Sequence, residues 1–196
     1  MRHKDYFNDI AHKWDEISKH DSNKLVKITE MAGLSKGDKV LDVGTGTGVM
    51  LPFIKTLIGD EGKIVAVDIA EKMLDIARKK HPYDNVSFVL GDVCEIQVPN
   101  DYFDVVMCYS VFPHFQDKKT AISHIAKLLK SSGRLVIAHS QSRDAINNIH
   151  RKSSDTVKCD NLPKASIIEE YMKEAGLNPI CTKDDDEMFV VIGEKA

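Results

Sequence analysis

The chain has 196 residues, 42% of them hydrophobic, enough for one globular domain with a single core and short for two. Its 27 basic and 30 acidic residues leave a formal charge of -3, so no chain-wide positive field exists to hold nucleic acid or an anionic membrane. Cys94, Cys108, Cys159 and Cys181 form no CxxC pair and no zinc-finger spacing, and no apolar run reaches the ~18 residues of a membrane span, so the expectation is a cytoplasmic protein with free thiols, no metal and no membrane segment.

In chain order, the stretch YFNDIAHKWDEI carries helical spacing, and Asp21 and Ser22 are placed to cap a helix running to about Met31. Residues 1–35 are read as a helical cap and 36–196 as the core of one domain. Short runs rich in Val, Ile and Leu predict strands at 39–43, 63–67, 86–90, 103–108 and 134–139. Amphipathic stretches predict helices at 49–58, 71–80, 118–130, 144–152 and 166–175, the last stopped by Gly176. The segment NPICTKDDDEMFVVIGEKA reads as two strands joined by an acidic turn at 184–187. The alternation predicts an α/β fold, a doubly wound, mostly parallel seven-stranded sheet of Rossmann-like type closed by an antiparallel C-terminal hairpin.

The first strand runs into VLDVGTGTGVM, where Gly44, Gly46 and Gly48 permit positive φ and leave main chain bare for close approach by a ligand. A following helix would aim unpaired N–H groups at the same place. Asp68 ends the second strand, where a carboxylate can accept two ribose hydroxyls, and Asp92 follows the third, within reach of an adenine amino group. A nicotinamide-dinucleotide fingerprint asks for G-x-G-x-x-G, but Val49 occupies the position of its last glycine.

These residues carry a resemblance. Through LDVGTGTG, VAVDIAEKML, GDVCEIQVPNDYFDVVMCYSVFPHF and LLKSSGRLVIAH, the chain resembles the class I S-adenosylmethionine-dependent methyltransferases. It is closest in style to the small-molecule group that includes the menaquinone and ubiquinone biosynthesis enzymes. The resemblance implies S-adenosyl-L-methionine as methyl donor and S-adenosyl-L-homocysteine as product. It implies that Asp42 and the loop Gly44, Thr45, Gly46 and Gly48 hold the methionine part, and Asp68 the ribose. Ile69 and Met73 would flank one adenine face, with Gly91, Asp92 and Val93 at the base, and Ser110 and Phe112 would border the methionine end. Tyr6 and Trp14 would close over the top.

Methyl transfer needs alignment, exclusion of water and, for a protonated nucleophile, a base. His114 lies beyond the fourth strand and His139 ends the fifth, both opening toward the expected cleft; they are the candidate catalytic bases, with His12 a third candidate. Trp14, Tyr109 and Phe112 are candidates to face a sulfonium cation. If 144–152 is helical, Arg143, Asn147 and His150 share one polar face, a candidate substrate stripe or a solvated side. Nothing in the spacing of His114, His139 and His150 requires a metal. The loop CYSVFPHF lacks the Asn/Asp-Pro-Pro-aromatic signature of base-methylating enzymes, which favours a small-molecule acceptor over RNA or protein. A non-catalytic module of the same fold is the remaining alternative, and a monomer or homodimer is the expected state.

Overall fold

The computed structural model describes residues 3–196. The strands are β1 (Lys39–Val43), β2 (Lys63–Asp68), β3 (Val86–Leu90), β4 (Phe103–Tyr109), β5 (Leu129–His139), β6 (Leu177–Asp184) and β7 (Phe189–Lys195). The helices are α1 (His3–Ile10), α2 (Trp14–Ile17), α3 (Ser22–Ala32), α4 (Leu51–Ile58), α5 (Glu71–Lys80), α6 (Lys118–Leu128), α7 (Arg143–Lys152) and α8 (Ala165–Glu174), with 3-10 turns at Ala11–Lys13 and Phe112–His114.

All seven strands form one sheet in the order β3-β2-β1-β4-β5-β7-β6. Strands β1 to β5 pair in parallel, and β7 enters antiparallel between β5 and β6. Successive strand residues point to opposite faces. Val40, Ile64, Val105 and Val136 therefore meet Leu25, Ile28, Ile54 and Ile58 of α3 and α4 on one side. Leu41, Val106, Leu135 and Ile137 meet Ile122, Ile125, Ile168 and Met172 of α6 and α8 on the other. Each such side chain contributes roughly 1.5–3 kcal/mol on burial. Cover on both faces is why the central strands read as continuous apolar runs.

The boundaries depart furthest from expectation at two places. The helix after the glycine loop starts at Leu51, because Gly48 donates to the Thr45 carbonyl and Leu51 to that of Gly48, spending residues 45–50 in successive turns. At the end of α6, Leu129 turns extended and pairs with Phe103, so β5 starts before Arg134, with a register break opposite Phe103 and Val105. The acidic C-terminal turn closes as an Asx turn, Asp185 Oδ1 accepting from the main chains of Glu187 and Met188.

Strand order reverses between β1 and β4, which opens a crevice at the carboxyl ends of the strands there.

Candidate active site

That crevice is a cleft of about 1060 Å³. Its floor comes from the ends of four strands: Val43 and Gly44 after β1, Asp68 and Ile69 after β2, Leu90 to Val93 after β3, and Ser110 after β4. The glycine loop is fastened to β2, since the main chains of Gly44 and Thr45 both donate to the Val67 carbonyl, at 2.8 and 3.0 Å.

Gly44 and Gly46 both have positive φ, +67° and +56°, but they serve differently. A Cβ at Gly44 would lie 2.3 Å from Val111 Cγ2, so that glycine is needed for packing. A Cβ at Gly46 would meet nothing nearer than Trp14 Nε1 at 3.7 Å, so its bareness keeps the cleft open rather than relieving a clash.

Asp68 is buried, and each carboxylate oxygen accepts one main-chain N–H: Oδ2 from Gly46 and Oδ1 from Ala70, both at 2.8 Å. A carboxylate offers about four acceptor directions, so main-chain donors do not exhaust it. Burial pushes its pKa up, opposed by the N–H groups of Ala70, Gly46 and Ile69. Met73 and Ile69 supply apolar walls, and Val93 sits beside Asp92, whose Oδ1 accepts from the Cys94 main chain at 2.9 Å.

Asp42 lies beneath the loop and does not line the cleft. Its Oδ2 accepts from the Thr45 hydroxyl at 2.6 Å, and burial raises its pKa to about 7, with the Asp68 charge adding to the rise. Asp42 and Thr45 thus shape the loop from below. Gly48 (φ +85°) packs against His81, and Phe112 is fully buried in the core; neither lines the cleft.

A second cavity, about 410 Å³, shares Phe7, Trp14, Ser110 and His114 with the first. Tyr6, His20, His139, Ser140 and His150 also line it. His139 is fully buried, both of its ring nitrogens lack a hydrogen-bond partner, and burial, aided by His114 and His150, drives its pKa down to about 3. His114 Nδ1 lies 2.5 Å from Asp160 Oδ2, and His3 Nε2 lies 2.8 Å from the same oxygen. Burial alone would raise the Asp160 pKa; the hydrogen bonds from His114 and His3 overcome it and hold it low.

The expected polar stripe on α7 divides. Only His150 reaches the second cavity, its Nδ1 donating to the Asp160 main-chain carbonyl at 3.0 Å. Asn147 is buried and holds Leu162 from both sides, accepting from its N–H at 2.8 Å and donating to its carbonyl at 3.1 Å. Arg143 pairs with Asp144 and Asp184. His12 is exposed and outside both cavities, because the 3-10 turn Ala11–Lys13 breaks the helical period and turns it to solvent. Of the aromatic candidates only Trp14 lines the cleft; Tyr109 is buried between His20 Nδ1 at 2.7 Å and Ser140 Oγ at 2.8 Å. Phe7, His3, His20 and Asp160 were not among the sequence candidates. Phe7 lies one residue from Tyr6 in the same amphipathic stretch, and that adjacency was the available signal.

A family model described as a methyltransferase domain matches residues 34–186. The chain belongs to this methyltransferase domain family. Among curated relatives, the ubiquinone/menaquinone biosynthesis C-methyltransferase UbiE of Vibrio parahaemolyticus is 29% identical over 140 residues, covering 67% of this chain and 54% of that protein. The chain therefore spans just over half the length of that relative. Two solved structures share the methyltransferase fold. A SAM-dependent methyltransferase from Aquifex aeolicus superposes with a TM-score of 0.77 at 20% identity, over 95% of this chain and 98% of its own. A chain from the complex between the Haloferax volcanii Trm112 methyltransferase activator and a methyltransferase superposes at 0.78 and 20% identity, over 96% of both. Among the described residues, no helix of this methyltransferase-family chain is long and apolar enough to cross a membrane.

Proposed function

We propose that the chain transfers a methyl group from S-adenosylmethionine to a small-molecule acceptor held in the second cavity. The observation that carries this is the meeting of a bare loop, two strand-end carboxylates and a second polar cavity at the carboxyl ends of β1 to β4. The name of the UbiE relative, a quinone-biosynthesis enzyme, supports a small-molecule acceptor, and the formal charge of -3 argues against nucleic acid.

The cleft fits the donor on two independent grounds. Asp68 lines the cleft with acceptor capacity left for ribose hydroxyls, and Gly46 keeps clear a space that any side chain would enter. Ile69 and Met73 would flank the adenine, with Asp92 accepting from its amino group. When bound, the donor supplies a methyl group on a cationic sulfur that departs as a neutral thioether.

The protein's contribution is alignment and dryness, and effective molarities of about 10⁵ M and above are available to well-held reactants. Phe7 and Trp14 line both cavities and place apolar rings between the reacting groups and water. With its pKa near 3, His139 stays a neutral imidazole at physiological pH. Its two nitrogens offer one donor and one acceptor to orient the substrate. Its low proton affinity makes it an orienting group rather than a strong base.

Calorimetric titration with S-adenosylmethionine and S-adenosylhomocysteine tests this. One-to-one binding of both is expected, and Asp68→Asn should weaken it by about 2 kcal/mol, roughly thirtyfold. Failure of either ligand to bind, or unchanged affinity in Asp68→Asn, would contradict the assignment. His139→Ala should leave donor affinity intact while lowering turnover of any acceptor; equal losses in both would make His139 structural.

A further inference from the structure

Where the two cavities meet, three ligand-type side chains from separate elements converge, His114 lining both cavities and His3 the first. His3 comes from α1, His114 from the 3-10 turn after β4, and Asp160 from the connection between α7 and α8. One potential ligand atom from each lies within 4.8 Å of the others, and both imidazoles aim a ring nitrogen at the same carboxylate oxygen. All three are half-buried, so the group is sheltered yet reachable. The main-chain carbonyl of Asp160 is fixed by His150 Nδ1. A second, independent observation points to an occupant: His139 is 1% exposed, has neither ring nitrogen paired, and lines the cavity that His114 also lines.

We infer that His3, His114 and Asp160 bind a divalent transition-metal ion such as Zn²⁺, with open coordination positions toward the junction of the two cavities that His114 lines. Two imidazoles and one carboxylate are the donor set of catalytic zinc sites and of open-sided iron sites. At metal–ligand distances of about 2.0–2.2 Å, tetrahedral ligand atoms lie roughly 3.4 Å apart. The present 2.5 and 2.8 Å separations therefore need to open by less than ~1 Å. Each imidazole carries its proton on the other ring nitrogen and turns a lone pair to the ion, and Asp160 binds ionised. The ion then holds the acceptor through an oxygen, nitrogen or sulfur atom, with His139 as its hydrogen-bond partner. That use rests on the proposed methyl transfer; the binding of the ion does not.

The test is titration of the metal-stripped full chain with Zn²⁺ by calorimetry and with Co²⁺ by visible absorption. The expected result is one equivalent bound, with the d–d bands of a low-coordinate cobalt site. Asp160→Asn, His114→Ala and His3→Ala should each weaken binding about tenfold or more. Cys159→Ser, which removes an exposed thiol, should bind like wild type. No uptake by the wild type, or uptake unchanged in the three variants, would overturn the site. Near-ultraviolet circular dichroism of the variants reports their folding, and His3→Ala, on the N-terminal helix, keeps the test decisive if the others fail to fold. S-adenosylhomocysteine titrated into the same stripped chain reads the donor site separately: binding of it without metal uptake rejects the metal site alone.

Discussion

Gly46 and Gly44 are two residues apart, both at positive φ, yet predict different losses. Alanine at either position pays about 1–2 kcal/mol for a left-handed backbone. At Gly44 the new methyl also collides with Val111, close to the main chain, where the neighbour cannot swing away. Gly44→Ala should therefore lower thermal stability markedly, whereas Gly46→Ala should lower it by about 1 kcal/mol while weakening donor binding tenfold or more. A Gly46→Ala protein that binds donor normally would remove the reason for the bare loop. Asp42 makes a pH prediction. Its folded pKa is raised from 3.8 to about 7, so the folded state favours the protonated form. That stabilisation is complete below the unfolded value and is lost as pH rises through about 7, a span worth about 4 kcal/mol. Asp42→Asn keeps an oxygen for the Thr45 hydroxyl and does not titrate. Its stability advantage over wild type, followed by thermal melts, should grow from acid to neutral pH and then level; parallel curves would contradict the assignment. His139 works in the opposite direction: its depressed pKa costs stability as pH falls below the ordinary 6.5 toward about 3.

At the scale of elements, the N-terminal segment is tied across the cleft by several local bonds. Asn8 Oδ1 accepts from the Lys72 main chain at 2.9 Å, serving the first turn of α5, which has no side-chain cap of its own. Asp15 accepts from the Thr47 hydroxyl at 2.6 Å and pairs with Lys80 at 2.7 Å. His20 reaches Tyr109 at 2.7 Å, and Phe7 and Trp14 stack edge-on with 5.8 Å between ring centroids. Exposed ion pairs contribute about 0–1 kcal/mol each, so the segment is held by many weak ties. Removing one should open the cover without unfolding the sheet. In Asp15→Ala, amide exchange across 3–17 should accelerate while β1 to β5 keep their protection, and bound S-adenosylhomocysteine should leave several-fold faster. Unchanged exchange in 3–17 would show that Asp15 does not secure the cover.

Over the whole molecule, what was legible in the sequence was whatever repeats locally. The central strands announced themselves because both faces are covered, and Asp68 and Asp92 because one ends its strand and the other lies two residues beyond its strand. The histidine cavity was only half legible. His139 ends β5 and His114 lies in the turn after β4, but Asp160 meets His114 across 46 residues and His3 across 157, distances that no period in the chain encodes. Asn147 looked like a substrate contact on helical spacing alone; its side chain is instead spent on the main chain of Leu162, a partner 15 residues away in irregular structure. The resemblance implied Asp42 and Thr45 as contacts to the methionine part, whereas the two side chains bond each other beneath the loop. The most direct measurement of the central claim is a crystal structure of the chain with S-adenosylhomocysteine. Ribose hydroxyls on Asp68, adenine against Met73 and Ile69, and the sulfur directed toward the cavity lined by His114 and His139 are expected. A ligand bound elsewhere, or one whose sulfur faces away from that cavity, would contradict it.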